Sequence, residues 1–229
     1  MLTLKPERLD AEDFREQPIS VCGKAFIADQ SGALYWPAED ALIVADLRLG
    51  GNGGETRTAL AALAGMLDRR PASTVIALGS SPHNVDPTGP LAASGLESLR
   101  ILQEGRDWIW VTGGQDGAIP GRLGGHAIGE LTVAGITLRP MPQPGHVTHE
   151  IAGSLHPAAR VSRHSHTVRR SCFVGNGRRL VMPAFAAETG GHNILGGAFE
   201  PLFGYDGMKV WMMGLDGLTP IATRLLRTD

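Results

Sequence analysis

Two charged residues, Asp46 and Arg48, lie where the apolar run ALIVADL (residues 41–47) gives way to a glycine-containing loop. A run of this length and branching is typical of a buried strand, so the strand would deliver Asp46 to the loop at its end. An acid followed two residues later by a histidine would make a metal-binding strand end. Arginine cannot take that role, because a guanidinium stays protonated and has no lone pair to donate.

The composition predicts one domain spanning residues 1–229 that can bury a sizeable core, since 42% of the residues are hydrophobic. A formal net charge of −2 gives no global electrostatic attraction to nucleic acid or membranes. Cys22 and Cys172 are far apart and fit no metal-ligand spacing, which favours a reduced, cytoplasmic protein. We find neither a signal peptide nor a run of roughly 18 apolar residues, so no membrane association is expected.

The elements that position Asp46 form an α/β half that extends to about residue 120. The run STVIALGS (73–80) predicts a second parallel strand, and the leucines between the two runs have helical spacing. A right-handed strand–helix–strand unit is therefore expected. A second helix is predicted over 95–103 and a third strand over 107–114.

The remainder of the chain is predicted to be β-rich. Residues 127–140, 171–185 and 208–226 each indicate a hairpin, with turns at 175–177 in the second and at Asp216-Gly217 in the third. The segment RPMPQPGH (139–146) is interpreted as a loop.

Ligands of open α/β sheets bind beyond the carboxyl ends of the parallel strands. The segments there are ADLRLG (45–50), LGSSPHN (78–84) and VTGGQDG (111–117), followed later by EIAGSLHPAARV (150–161). Their order resembles the motifs of the calcineurin-like metallophosphoesterases, and most closely the bacterial branch associated with DNA ligase and a helicase. The resemblance implies a four-layer α/β/β/α sandwich of the metallo-dependent phosphatase type.

The resemblance also implies a two-metal centre, from which this chain departs at most positions. Of the family's ligands, Asp46 and His156 are kept, and Asp116 is the remaining acid of the third motif. The residues that replace metal ligands or the general acid are Arg48, Ser80, Gly114, Gln115, Pro140 and Ser154.

These replacements predict that two-metal hydrolysis has been lost. Ser80 cannot bridge two cations as a carboxylate does, and Gln115 cannot donate a proton to a leaving group. Retention of Asp46 calls for a new positive partner, so an ion pair of Asp46 with Arg48, joined by His156, is expected where metal would sit.

We therefore expect a binding or accessory protein rather than an ordinary enzyme. The cleft would hold a phosphate-bearing ligand through Arg48 and backbone amides. The candidate ligand-binding residues are Arg48, Ser80, Ser81, His83, Gln115 and His156. The alternative is an active metal-dependent phosphodiesterase or nuclease with a rearranged or single-metal site. No cofactor is expected; if a metal binds, it would be Mn or Zn on Asp46, His156 and His83.

Several structural interpretations stay open at this point. Asp46 and Asp116 could each cap a loop, and His156 could be a packed core histidine. The segment RVSRHSHTVRR (160–170) either contacts DNA phosphates or forms a solvated edge strand. The segment ETGGHN (188–193) is expected to support the old site structurally. A protein partner from a ligase and helicase repair system is the other partner that the resemblance implies.

Overall fold

The computed structural model describes residues 15–47, 49, 53–79, 90–113, 123–163, 166–187, 191–203 and 207–229. Its first sheet has seven strands arranged in chain order. They are β1 (Glu16–Val21), β2 (Lys24–Asp29), β3 (Leu34–Trp36), β4 (Ala41–Ala45), β5 (Thr74–Leu78), β6 (Asp107–Val111) and β7 (His126–Ile128). Strands β1 to β4 are antiparallel, and β4 to β7 are parallel.

The predicted strand–helix–strand units are confirmed. Helix α1 (Gly53–Arg69) joins β4 to β5, and helix α2 (Pro90–Gln103) joins β5 to β6. Helix α2 begins earlier than the predicted residue 95, at a proline, which is well suited to a first helical position because its missing N–H has no partner there. All five residues of β4 are buried, as expected for a parallel strand covered on both faces.

The second sheet contains the three predicted hairpins. It also contains a strand at Glu150–Ala152 that the sequence did not indicate. Its path is β15-β14-β12-β13-β10-β9-β8, and β11 pairs with β12 beside it. The strands are β8 (Leu131–Val133), β9 (Ile136–Arg139), β10 (Glu150–Ala152), β11 (Ala158–Arg163), β12 (His166–Gly175), β13 (Arg179–Val181), β14 (Lys209–Met213) and β15 (Leu218–Ile221). Strand β10 is parallel to both β9 and β13. Residues 126–128, predicted within the first hairpin, instead form β7 of the first sheet.

The four-layer sandwich expected from the sequence is confirmed. One apolar cluster lies between the sheets, and a second lies between the first sheet and helices α1 and α2. A third cluster covers the outer face of the second sheet, where α3 (Glu200–Phe203) packs with β11. Within the described ranges, no helix is both long and apolar enough to cross a membrane.

A buried ion pair joins β10 to β13 in the second sheet. Arg179 Nη2 donates to Glu150 Oε2 over 2.5 Å, and both side chains are almost completely excluded from solvent. The same guanidinium donates to the carbonyl oxygens of Gln143, Gly145 and Leu202. It therefore holds the 139–146 loop and α3 against the sheet.

Replacing Glu150 with glutamine should lower the free energy of unfolding by about 3–5 kcal/mol, because it leaves a buried arginine without its counter-charge. Urea denaturation measures this difference. The matched control is Glu97→Gln, which removes an ion pair with Arg100 in which both side chains are more than 60% exposed. That change should cost less than about 1 kcal/mol. Equal losses in the two variants would show that Arg179 does not need the carboxylate.

Candidate functional site

The carboxylate of Asp46 connects the two sheets at the carboxyl end of β4. Its Oδ2 accepts a hydrogen bond from the backbone N–H of Ser154 over 2.8 Å, and its Oδ1 accepts one from the Ser154 hydroxyl over 3.2 Å. Ser154 follows β10 of the second sheet, so a strand end from each sheet contributes to this contact. Asp46 therefore does more than cap its own loop, because its carboxylate oxygens accept hydrogen bonds from a residue 108 positions away.

His156 completes this group of side chains. Its Nε2 lies 3.1 Å from Asp46 Oδ2, and its side chain is 35% exposed, compared with 12% for Asp46. His156 is half-buried rather than part of the core, and its ring is paired with a carboxylate, as the structural interpretation expected. Asp46, Ser154 and His156 thus form one cluster, which we call the cleft cluster.

All three residues of the cleft cluster have a left-handed backbone. Their φ angles are +52° for Asp46, +62° for Ser154 and +44° for His156. This conformation costs an L-residue roughly 1–2 kcal/mol and persists where surrounding interactions impose it. Such strain concentrates at functional sites, which supports a role for this cluster beyond packing.

Two glycines that follow β5 and β6 leave space for side chains where the two sheets meet, Gly79 for the cleft cluster and Gly113 for Pro140. A Cβ on Gly79 would lie 2.5 Å from Ser154 Oγ and 2.9 Å from Asp46 Oδ1. A Cβ on Gly113 would lie 2.9 Å from the Pro140 ring, which follows β9 of the second sheet. The sequence gives only a weak indication of the role of these two glycines, since each simply follows an apolar run within a few residues.

Gly191 packs against the backbone of His156 in the cleft cluster. It has a φ of +104°, and a Cβ there would collide with the carbonyl oxygen of His156. Only glycine allows this close backbone approach. The supporting role predicted for residues 188–193 is thus seen at Gly191, whereas residues 188–190 lie outside the described residues.

The described part of the cleft contains two of the metal ligands that the resemblance implies, Asp46 and His156, and the expected loss of the two-metal centre stays a prediction. Both carboxylate oxygens of Asp46 are engaged within the protein, and Pro140 has no side-chain donor at a position where the resemblance implies a histidine. Among the residues that the structure describes, no three His, Cys, Asp or Glu side chains group closely enough to hold a metal ion. Two cations held about 4 Å apart would need more ligands than this part of the chain supplies.

Most of the other predicted site residues lie outside the described residues. They are Arg48, Ser80, Ser81, His83, Gly114, Gln115 and Asp116. The ion pair of Asp46 with Arg48 therefore stays a prediction, as does the metal ligand His83. What the structure does bring together is Asp46, Ser154 and His156.

Two mixed sheets packed face to face, with α1 and α2 on the outside of the first, define a metallophosphoesterase-like α/β sandwich. A solved structure with which this chain aligns is that of the Pseudomonas putida nuclease MPE. The TM-score is 0.71 at 26% sequence identity, over 90% of this chain and 100% of that one. No family model matches the sequence, and no curated protein matches it.

Substituting alanine for Gly79 should destabilise the protein by more than the same change at Gly105. The two glycines have similar φ angles, +66° and +70°, so the conformational cost of roughly 1–2 kcal/mol is shared. A Cβ on Gly105 has nothing within 4 Å, whereas one on Gly79 meets Ser154 and Asp46. Urea denaturation of both variants isolates the steric part, which should be about 1–3 kcal/mol. Equal decreases in the free energy of unfolding would show that the cleft cluster can move to accommodate the added Cβ at no energetic cost.

Proposed function

We propose that the protein is a metallophosphoesterase-fold binding or accessory protein that no longer performs two-metal hydrolysis. Its cleft binds a phosphate-bearing ligand at the edge where strand ends of both sheets meet. The observation that carries this proposal is the state of Asp46, whose two carboxylate oxygens accept hydrogen bonds from Ser154 and contact His156.

The contacts of Asp46 reduce its capacity to coordinate cations, and the anion site is assigned to His156 and Arg48 beside it. A carboxylate that already accepts two hydrogen bonds has less free capacity to coordinate metal, and leaving its serine donor unpaired would carry a cost. His156 is partly exposed beside it and can donate a hydrogen bond to a ligand oxygen when protonated. Arg48, two residues beyond Asp46 in the sequence, adds a permanent positive charge to the same loop.

The similarity to a nuclease structure supports the class of ligand. A nuclease acts on phosphodiesters, and the two chains align over 90% of the present one. We therefore assign the cleft to a phosphate group of a phosphodiester or phosphomonoester. A DNA-repair setting is the cellular context that the sequence resemblance favours.

Metal analysis tests the proposed loss of two-metal chemistry. After equilibration with Mn²⁺ and Zn²⁺ and removal of free ions, the protein should retain less than about a tenth of an equivalent, since useful structural or catalytic sites fill stoichiometrically. Mass spectrometry of the metals makes the measurement, alongside hydrolysis of bis(p-nitrophenyl) phosphate. One or two equivalents, lost in Asp46→Ala and accompanied by hydrolysis, would instead support an active enzyme with a rearranged site.

Changing Arg48 to alanine should weaken the binding of inorganic phosphate by a factor of about ten or more. A hydrogen bond to a charged group contributes about 1.5–3 kcal/mol, and no other arginine is expected in this loop. Isothermal titration calorimetry gives the affinity. Arg100→Ala is the control, because that side chain is 62% exposed on α2. Undiminished binding in the Arg48 variant would contradict the proposed anion site.

A further inference from the structure

Residues 222–229, which we call the strap, lie at the surface against the hairpin of β11 and β12. Within the strap Leu226 is buried and the other side chains are exposed. Leu226 joins the apolar cluster on the outer face of the second sheet, and its backbone forms an antiparallel bridge with Val161 of β11. A segment that buries so little apolar surface can detach at low cost while the rest of the fold stays intact.

Two side chains from different parts of the fold bind the end of the strap. Oδ1 of Asp229 accepts hydrogen bonds from Nε of Arg169 on β12 and from Nδ2 of Asn193, both over 3.2 Å. The amide of Asn193 also donates to the carbonyl of Arg227 and accepts from the backbone N–H of Leu195. Asn193 is only 7% exposed, so this buried amide fastens the strap to its own segment of the chain.

Arg169 extends this contact to the cleft cluster. Its Nη2 donates to the carbonyl of Gly191 over 2.6 Å while its Nε holds Asp229. The backbone of Gly191 lies so close to the carbonyl of His156 that a Cβ on the glycine would collide with it. His156 has a left-handed backbone, which persists because its surroundings impose it. One guanidinium thus links the strap to the backbone that packs against His156.

Strand β11 provides a second connection between the strap and the same part of the cleft. Arg160 is bonded to the strap twice, since its carbonyl accepts from the N–H of Arg227 and its Nη1 donates to the carbonyl of Thr228, each over 2.8 Å. At the start of β11, the N–H of Ala158 donates to the carbonyl of His192 over 2.9 Å. The strap, the start of β11 and residues 191–195 therefore belong to one network.

The ion pair that fastens the strap is open to its surroundings. The Asp229 side chain is 58% exposed and that of Arg169 is 34% exposed. A hydrogen bond from Asn193 lowers the pKa of Asp229 below its ordinary value, and Arg169 lowers it further, so the carboxylate stays charged at neutral pH. Salt screens an exposed pair of this kind, and other anions can compete for the guanidinium. The strength of docking thus responds to the ionic conditions.

We propose that the strap regulates the cleft, with Arg169 and Asp229 as positioning residues that hold Gly191 against His156 while the strap is docked. The docked state has the cleft geometry described above and binds the phosphate-bearing ligand. Detachment releases Gly191, the strained backbone of His156 relaxes, and the apparent affinity falls in proportion to the fraction of molecules that stay docked. This inference rests on the proposed function, because it names the regulation of the same site.

Hydrogen–deuterium exchange measured by mass spectrometry tests the connection between the strap and residues 191–196. Asp229→Ala should raise their exchange rate about 2- to 10-fold, which is the effect of losing an exposed ion pair and a hydrogen bond. Leu226→Ala should raise it further, because it removes the buried anchor of the strap. Asp216→Ala is the matched control, since Asp216 is an exposed acid in the turn between β14 and β15, and it should leave this exchange unchanged.

The ring of His156 gives a readout that separates positioning from a purely structural role. Its ¹⁵N shifts, measured by NMR at fixed pH, should change in Asp229→Ala and return towards those of the unaltered protein in Asp229→Glu, which keeps the carboxylate. Calorimetry should show a weaker affinity for inorganic phosphate in Asp229→Ala. Because coupling is reciprocal, saturating phosphate should slow exchange in the strap of the unaltered protein by the same factor.

Unchanged exchange at 191–196 and unchanged His156 signals in both strap variants, with folding verified by thermal melting, would overturn the proposal. Faster exchange confined to residues 222–229 would also overturn it, because the strap would then detach without any effect on the cleft. If the unaltered protein does not bind inorganic phosphate, the proposed function fails, and the exchange and ring signals still decide whether the strap positions His156. If phosphate binds equally well to the strap variants while exchange at 191–196 rises, regulation of the cleft is refuted and the anion site stands.

Discussion

The carboxylate of Asp46 is the contact on which the cleft depends, because it accepts hydrogen bonds from the opposite sheet. Its acceptors fix the backbone of Ser154, and Ser154 fixes the direction in which the chain reaches His156. Three left-handed conformations are held by these few bonds. Strain of this kind needs a rigid support, and the buried parallel strands provide it from the first sheet.

The second sheet supports the same edge by a different means. The guanidinium of Arg179 bonds to Glu150 and to three carbonyl oxygens of the surrounding loops, so the start of β10 is fixed while its end delivers Ser154. The cleft is therefore positioned by apolar burial on one side and by a buried ion pair on the other. Arg179 Nε is buried without a hydrogen-bond partner, but the four hydrogen bonds of Nη1 and Nη2 join separate loops and so favour one arrangement of them.

The sequence predicted the elements that follow strong local rules and missed those that depend on distant partners. The apolar runs at 41–47 and 73–80 and the turn at Gly175-Asn176-Gly177 carry their structure within a few residues, and the structure has them. Strand β10 has three residues and owes its existence to β9 and β13 on either side. The role of Ser154 was equally hidden, since a serine after a glycine does not indicate that it bonds a carboxylate 108 positions earlier.

Pro140 has a consequence for how this sequence can change over evolutionary time. Its ring fills the space beside Gly113, where a Cβ would lie 2.9 Å from Pro140 Cγ, so a side chain larger than glycine at 113 needs a smaller residue at 140. Residues from different sheets are thereby sterically coupled and form one packing unit. Changes within such a unit are not additive, and a lineage that altered one member would pass through a destabilised intermediate. Positions 113 and 140 should therefore covary among descendants of this chain.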